Sequence, residues 1–276
     1  MTAALRVLSP LRPFGVLRRH RHLILQLARR DVLGRYRGSM LGIFWALVYP
    51  LFMLAVYSFV FGVIFQSRWP LAEAADRPGA FAAILFAGLI PHALLAEVLT
   101  RAPGLVAQQP NYVKKFVFPI EVLPWSLVAA AGFHALMSYA VLLGFYLVAF
   151  RDLHWGLLYA PLMLLPLALL MAGAAWLLAA VGVFLRDIGQ LTAVLATALL
   201  FVSPVFFPLE AVPEVIRPYV IYSPLTVIIE EFRKAVLGTG LPDWRMLAAY
   251  TAVALVAAMV GLALFQKARR GFADVL

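Results

Sequence analysis

Side chains able to do covalent or acid–base chemistry are sparse in this sequence. The five histidines, His20, His22, His92, His134 and His154, are scattered, and none stands at metal-ligand spacing from a second ligand, so no metal site is expected. There is no cysteine, which excludes a disulfide framework, a thiolate metal site and a cysteine nucleophile. Neither H-E-x-x-H nor G-x-S-x-G occurs. A single acid, Glu97, closes a long apolar stretch, whereas a proton-coupled carrier needs buried acids or a histidine chain. The acidic clusters that an integral-membrane glycosyltransferase needs are missing too. No G-x-x-x-x-G-K-[ST] loop is present, so the chain is not expected to hydrolyse ATP or to be an enzyme.

What remains is suited to recognition. Asn111-Tyr112-Val113-Lys114-Lys115-Phe116-Val117-Phe118-Pro119 is basic and aromatic. Asn111 can cap a short helix and Pro119 ends it, a form that docks into a partner's groove or is simply a basic loop. Trp45, Tyr49, Phe52 and Phe59 recur at helical spacing. Such a face can stack on sugar rings, pack against other helices, or lie in the interfacial belt. Arg186-Asp187 stands between two apolar stretches with almost no loop, as a self-neutralising pair fixing a tight turn.

The elements that position these residues follow from composition. Of 276 residues, 64% are apolar and 13% charged, against roughly 25% charged in soluble domains. A hydrocarbon core of about 30 Å needs about 20 apolar residues in a helix. Leu41–Phe65, Ala80–Ala96, Val122–Phe150, Leu153–Leu185, Ile188–Leu209 and Met246–Phe265 carry no charge. The expectation is an all-α polytopic membrane protein with six spans at 41–65, 80–100, 122–150, 155–185, 188–208 and 246–266, forming a single transmembrane domain over 1–276. No removable signal peptide is expected, because the first span follows a long basic segment.

Charge sets the orientation. The formal net charge is +10. Sixteen of the 23 basic residues fall before span one, between spans two and three, after span four, and in the tail. Both termini are therefore expected in the cytoplasm, and the excess reads as topology and attraction to lipid headgroups rather than nucleic-acid binding.

Residues 1–17 read as irregular, with Pro10, Pro13 and Gly15, and 18–38 as a helix along the membrane surface whose arginines reach lipid phosphates. Pro50 is expected to kink span one. After span five, Pro204, Pro208, Pro213, Pro218 and Pro224 break any continuous helix, yet the stretch is too apolar for a free loop. Short helices dipping in over 209–236 fit, either as a gate or as a static cap.

Taken in order, these residues resemble the type-2 ABC exporter permeases, in the branch that exports lipid-linked O-antigen, capsule-like polysaccharide or teichoic acid. The resemblance lies in Arg30-Asp31, Arg35-Tyr36-Arg37-Gly38-Ser39 and Leu41-Gly42-Ile43-Phe44-Trp45-Ala46 with Pro50. It continues in Lys114–Pro124, in Phe184-Leu185-Arg186-Asp187-Ile188, and in Ser203–Pro208 with Val212-Pro213 and Ser223-Pro224-Leu225. It spans about residues 25 to 270. Two departures are Ser223-Pro224, where the family usually has Asn-Pro, and Gly34, where relatives often keep a bulkier or basic residue.

The resemblance implies a homodimeric channel in the cytoplasmic (inner) membrane, with two copies of a separate nucleotide-binding subunit that hold ATP and Mg, while this chain binds no cofactor. It implies an interfacial helix carrying Arg29, Arg30, Asp31, Arg35, Tyr36 and Arg37. It implies a coupling helix at 110–119, with Asn111, Tyr112, Lys114, Lys115, Phe116, Pro119, Glu121, Arg186 and Asp187 at the ATPase. Trp45, Tyr49, Phe52 and Phe59 would line a polysaccharide channel. Ser203, Pro204, Phe206, Phe207, Pro208, Pro213, Tyr219, Tyr222 and Pro224 would form a periplasmic gate. The rival readings are a permease of the same type for a drug or a glycolipid, and a channel or scaffold without an ATPase.

Overall fold

Apolar stretches this long must close their backbone hydrogen bonds on themselves, and in the computed structural model, which describes residues 12–64, 79–114 and 118–276, the described ones do so as helix. In chain order the helices are α1 (Arg12–Arg19), α2 (Arg21–Arg35), α3 (Trp45–Tyr57), α4 (Ala80–Arg101), α5 (Pro110–Lys114), α6 (Val122–Phe150) and α7 (Trp155–Tyr159). They continue with α8 (Leu165–Phe184), α9 (Ile188–Val202), α10 (Arg217–Ile221), α11 (Pro224–Leu237), α12 (Trp244–Ala268) and α13 (Phe272–Val275). Short 3-10 turns lead into α3 and α8, and a π-helical stretch, Ser58–Ile64, continues α3.

Among the described residues, five helical runs are long and apolar enough to cross a membrane: Gly42–Phe61, Ala80–Gly104, Val122–Phe150, Trp155–Phe184 and Trp244–Val275. The α9 helix has 15 residues, about 22 Å at 1.5 Å per residue. It starts where Gly189 lies by Pro103, at the carboxyl end of α4. Midway, the His92 ring bonds the Ala196 carbonyl at 2.9 Å. Just past its end, Val205 lies against Gly88. The α9 helix thus runs beside α4 for most of α4's length.

Two features differ from the expectation at the amino terminus. Residues 12–17 are helical rather than irregular, because Pro13 falls in the first turn of α1, where its missing N–H has no intrahelical partner to lose. The surface helix is broken at His20 into α1 and α2. Pro50 is buried inside α3 without ending it.

The bundle is built around α4. In its apolar window 78% of residues are buried inside the protein, against 17% for the first span, which lies at the edge with one face open. The α8 and α12 helices pack through small residues: Gly173 meets the Ala257–Ala258 backbone and Gly261 meets the Gly173 carbonyl. In lipid, where burying apolar surface gives no advantage, close backbone approach supplies the van der Waals contact that joins helices.

The first and last described segments share one end of the bundle. Arg12 Nη1 donates to Gln266 Oε1 at 3.2 Å. Trp125 Nε1 donates to the Pro13 carbonyl at 3.1 Å. Arg269 pairs with Glu121 at 3.2 Å, and fully buried Phe272 rests on Phe184 and Phe265. The α5 helix lies at this same end.

Candidate functional site

The α2 helix lays one face on α6, burying Ala28 and Val32 against Ala130. That contact aims the charged residues one turn apart, Asp31 and Arg35, at the carboxyl-terminal end of α4 and the middle of α6. Arg101 Nη2 donates to both Asp31 oxygens, at 2.6 and 2.7 Å. Its Nη1 donates to Glu97 Oε1 at 2.8 Å. Arg35 Nη2 reaches the same Glu97 oxygen at 2.5 Å. The other oxygen, Oε2, lies 2.9 Å from His134 Nδ1 on α6. A carboxylate only accepts, so Nδ1 carries the proton. Glu97 is 13% exposed while Arg35 is 41% exposed, so three helices meet on one nearly dry carboxylate.

This network is a wall between two cavities. On one side, about 520 Å³ is lined by Arg35, Tyr36, Trp45, Tyr49, Glu97 and His134, among others. On the other, about 610 Å³ is lined by polar groups including Arg30, Asp31, Arg101, Gln108 and Gln109. Burial pushes the Tyr36 phenol above its ordinary value, with Arg35 opposing, so it faces the first cavity as a neutral donor. A smaller cavity of about 200 Å³ adjoins it along α3, sharing Tyr49 and Pro50 in its lining and adding Met53, Tyr57 and His92. Tyr57 and Phe61 then meet Phe206, the Phe61 and Phe206 rings stacking at 5.7 Å. The side of α3 buried against the protein is Ala46–Pro50–Leu54; the row Trp45–Tyr49–Met53–Tyr57–Phe61, each residue four after the last, runs beside it along the two cavities to Phe206, with Tyr49 itself 61% exposed.

Two of the four aromatics expected to share a face fall on these cavities. Trp45 and Tyr49 do line the cavity. Phe52 and Phe59 are 62% and 56% exposed and line neither cavity. Helical spacing alone made Tyr57 and Phe61 as good as Phe52 and Phe59; the sloping i, i+4 row selects them.

At the α5 end, Arg30 Nη1 donates to the Tyr112 hydroxyl at 2.8 Å. The Tyr112 ring stacks on Phe118, centroids 4.2 Å apart. The segment from α5 to Phe118 is thereby tied to α2. Asn111 is exposed and is the second residue of α5 rather than its cap, because Pro110, with its fixed φ, takes the first position. Lys115 and Phe116 lie outside the described residues. Pro119 is half-buried. Glu121 accepts from Arg269 through its side chain and from Trp176 Nε1 through its carbonyl.

Arg29 and Arg37 are exposed, whereas Arg30, Asp31 and Arg35 are held by protein partners. Arg186 and Asp187 are both exposed, and no ion pair joins them among the described residues; in water such a pair gains little. Sequence reasoning missed the roles of Glu97, Arg101 and His134. The local signal was two pairs at helical spacing, Asp31 with Arg35 and Glu97 with Arg101.

At the opposite end of the bundle, Ser203, Pro204 and Val205 are buried, Phe206, Phe207 and Pro208 half-buried, and Pro213 exposed. Tyr219 and Tyr222 are 81% and 78% exposed. Pro224 opens α11, which buries Glu231 and Arg233. Glu231 accepts from Lys234 and from the Asp243 backbone, joining α11 to the start of α12.

The sequence profile of the ABC-2 type transporter family matches residues 22–237, from the surface helix through α11. The O-antigen export system permease protein RfbA of Klebsiella pneumoniae is 24% identical over 258 residues, covering 92% of this chain and 95% of that protein. The protein of the same name from Myxococcus xanthus is 25% identical over 257 residues, with the same coverage. The polysialic acid transport protein KpsM of Escherichia coli is 25% identical over 243 residues, covering 86% of this chain and 90% of its own. With that profile spanning the charged network, the aromatic cavity and the end of α11, the chain belongs to the ABC-2 type transporter family, as a multi-pass membrane permease subunit rather than an enzyme.

Proposed function

We propose that the chain is the membrane channel subunit of an ATP-driven exporter of lipid-linked polysaccharide, working as a homodimer with two copies of a nucleotide-binding subunit. It lies in the cytoplasmic membrane with both termini in the cytoplasm. Six crossings are counted, the sixth being α9 completed by Ser203–Pro208; this fits termini that share one end of the bundle and an α9 that follows α4 from Pro103 to Gly88. The end carrying α5 is the cytoplasmic one, where the basic residues collect. ATP and Mg belong to the partner subunit.

The observation that carries this reading is the chain of contacts from Tyr112 through Arg30 and Asp31 to Arg101 and Glu97. It links the helix suited to docking an ATPase with the wall of the cavity that Trp45 and Tyr49 line. A push on α5 moves α2, and α2 moves that wall. Aromatic walls suit a sliding polymer, because each stacking contact is weak and breaks as the next forms. The names of the relatives, O-antigen export and polysialic acid transport, support a polysaccharide cargo.

The test is depletion of this protein in its own cell, with analysis of lipid-linked glycans inside and identification of what co-purifies with it. A cytoplasmic build-up of lipid-linked polymer and a co-purifying ATPase are expected. Build-up of a non-polymeric glycolipid moves the assignment to a different cargo; no ATPase and no build-up overturn it.

A further inference from the structure

The outer hairpin holds two charged groups in a dry place, Glu231, which joins α11 to α12, and Arg233. Arg233, on α11, is 2% exposed, yet it is not spent on a carboxylate alone. Its Nε donates to the Ile84 carbonyl of α4 at 3.1 Å. Its Nη1 donates to the Pro204 carbonyl at 2.5 Å and to Glu230 Oε1 at 3.0 Å. Its Nη2 donates to the Val205 carbonyl at 2.8 Å. These four contacts come from three separate parts of the chain, and the planar fork of a guanidinium can make them together where an ammonium cannot. The carbonyls at 204 and 205 follow the end of α9, where proline removes the ordinary helical partners. The guanidinium passes over Gly88: a Cβ there would lie 2.5 Å from Nη2 and 3.4 Å from the Val205 Cα.

We propose that Arg233 is a positioning residue that fuses α11, the Ser203–Val205 turn and the outer half of α4 into one rigid body, so that the exit opens by movement of this body against α3 and not by flexing within the hairpin. Gly88 is the second component, present because the guanidinium occupies the space a side chain would fill. The proposal rests on the gate assignment of the hairpin.

The chain has no cysteine, so spin labels can be placed at Phe201 and Leu241, which are 65% and 83% exposed. One labelled protomer is diluted with unlabelled protein in lipid nanodiscs, with its co-purifying subunits. The distance between the labels is expected to be narrow and the same with and without ATP. In Arg233→Lys and in Gly88→Ala the width is expected to rise about twofold, as a local element loosens while the whole remains folded. The double variant is expected to be no broader than Arg233→Lys alone, since both remove the same contacts. If Arg233→Lys fails to assemble, Gly88→Ala decides, because it keeps the arginine. A wild-type distance that shifts with ATP, unchanged widths in the variants, or additive broadening overturns the clamp. A second pair, Phe59 with Tyr222, is expected to change with ATP. A fixed distance there overturns the gate assignment, while the first pair still judges the clamp without it.

Discussion

Arg30 donates a hydrogen bond to the hydroxyl of Tyr112 at 2.8 Å, across 82 residues of sequence. It is the described contact through which α5 grips α2. Tyr112→Phe keeps the stack on Phe118 and removes only that bond. Both residues are partly exposed, so a double-mutant cycle with Arg30→Ala is expected to give a coupling of about 0.5–1 kcal/mol. Export in vesicles is expected to fall more than ATPase binding does. Equal losses in the two assays would mean that Tyr112 only holds α5 in place.

Glu97 is the hub of the network, and its loss leaves Arg35, Arg101 and His134 facing one another. Glu97→Ala is expected to destabilise the protein by about 2–3 kcal/mol, less than for a fully buried pair because both arginines remain partly wet. Glu97→Gln, which still accepts hydrogen bonds, is expected to cost less. Thermal unfolding of the purified protein in nanodiscs measures both.

The seam between α8 and α12 depends on having no side chain at Gly173 and Gly261. Gly261→Val is expected to force the helices apart at about 2–3 kcal/mol, seen as loss of monodisperse protein. Gly144→Ala, in the open space beside α6, is expected to leave yield unchanged and serves as the control.

If the cavity beside α3 carries cargo, Trp45→Ala and Tyr49→Ala slow transport in proportion to lost stacking, about 1 kcal/mol each or several-fold in rate. Phe52→Ala and Phe59→Ala, which line neither cavity, are expected to leave transport through one protomer unaffected. Equal effects of all four would place the path on the open face of α3.

The class of the protein and its helices were legible because both rest on composition and local pattern: long uncharged runs, prolines at their breaks, arginines gathered between particular spans. The grouping of residues into a site was much less so. Glu97 stood out in the sequence as a lone acid, and its partners come from α2, α4 and α6, which no local spacing joins. Phe52 and Phe59 fitted a helical period as well as Tyr57 and Phe61, and only the slope of the i, i+4 row relative to α4 separates them. Asn111 as a cap was outranked by Pro110, since capping preference yields to a residue already locked in helical φ.

The contacts of Arg233 reach back 149 residues to Ile84 and 29 to Pro204. During synthesis, therefore, α4 enters the membrane well before the group that secures its outer end exists. Until α11 emerges, the Pro204 and Val205 carbonyls have only water or translocation machinery to satisfy them. Chains stalled short of residue 233 are thus expected to keep an open, protease-sensitive outer turn, and quality-control proteases have their widest opportunity in that interval.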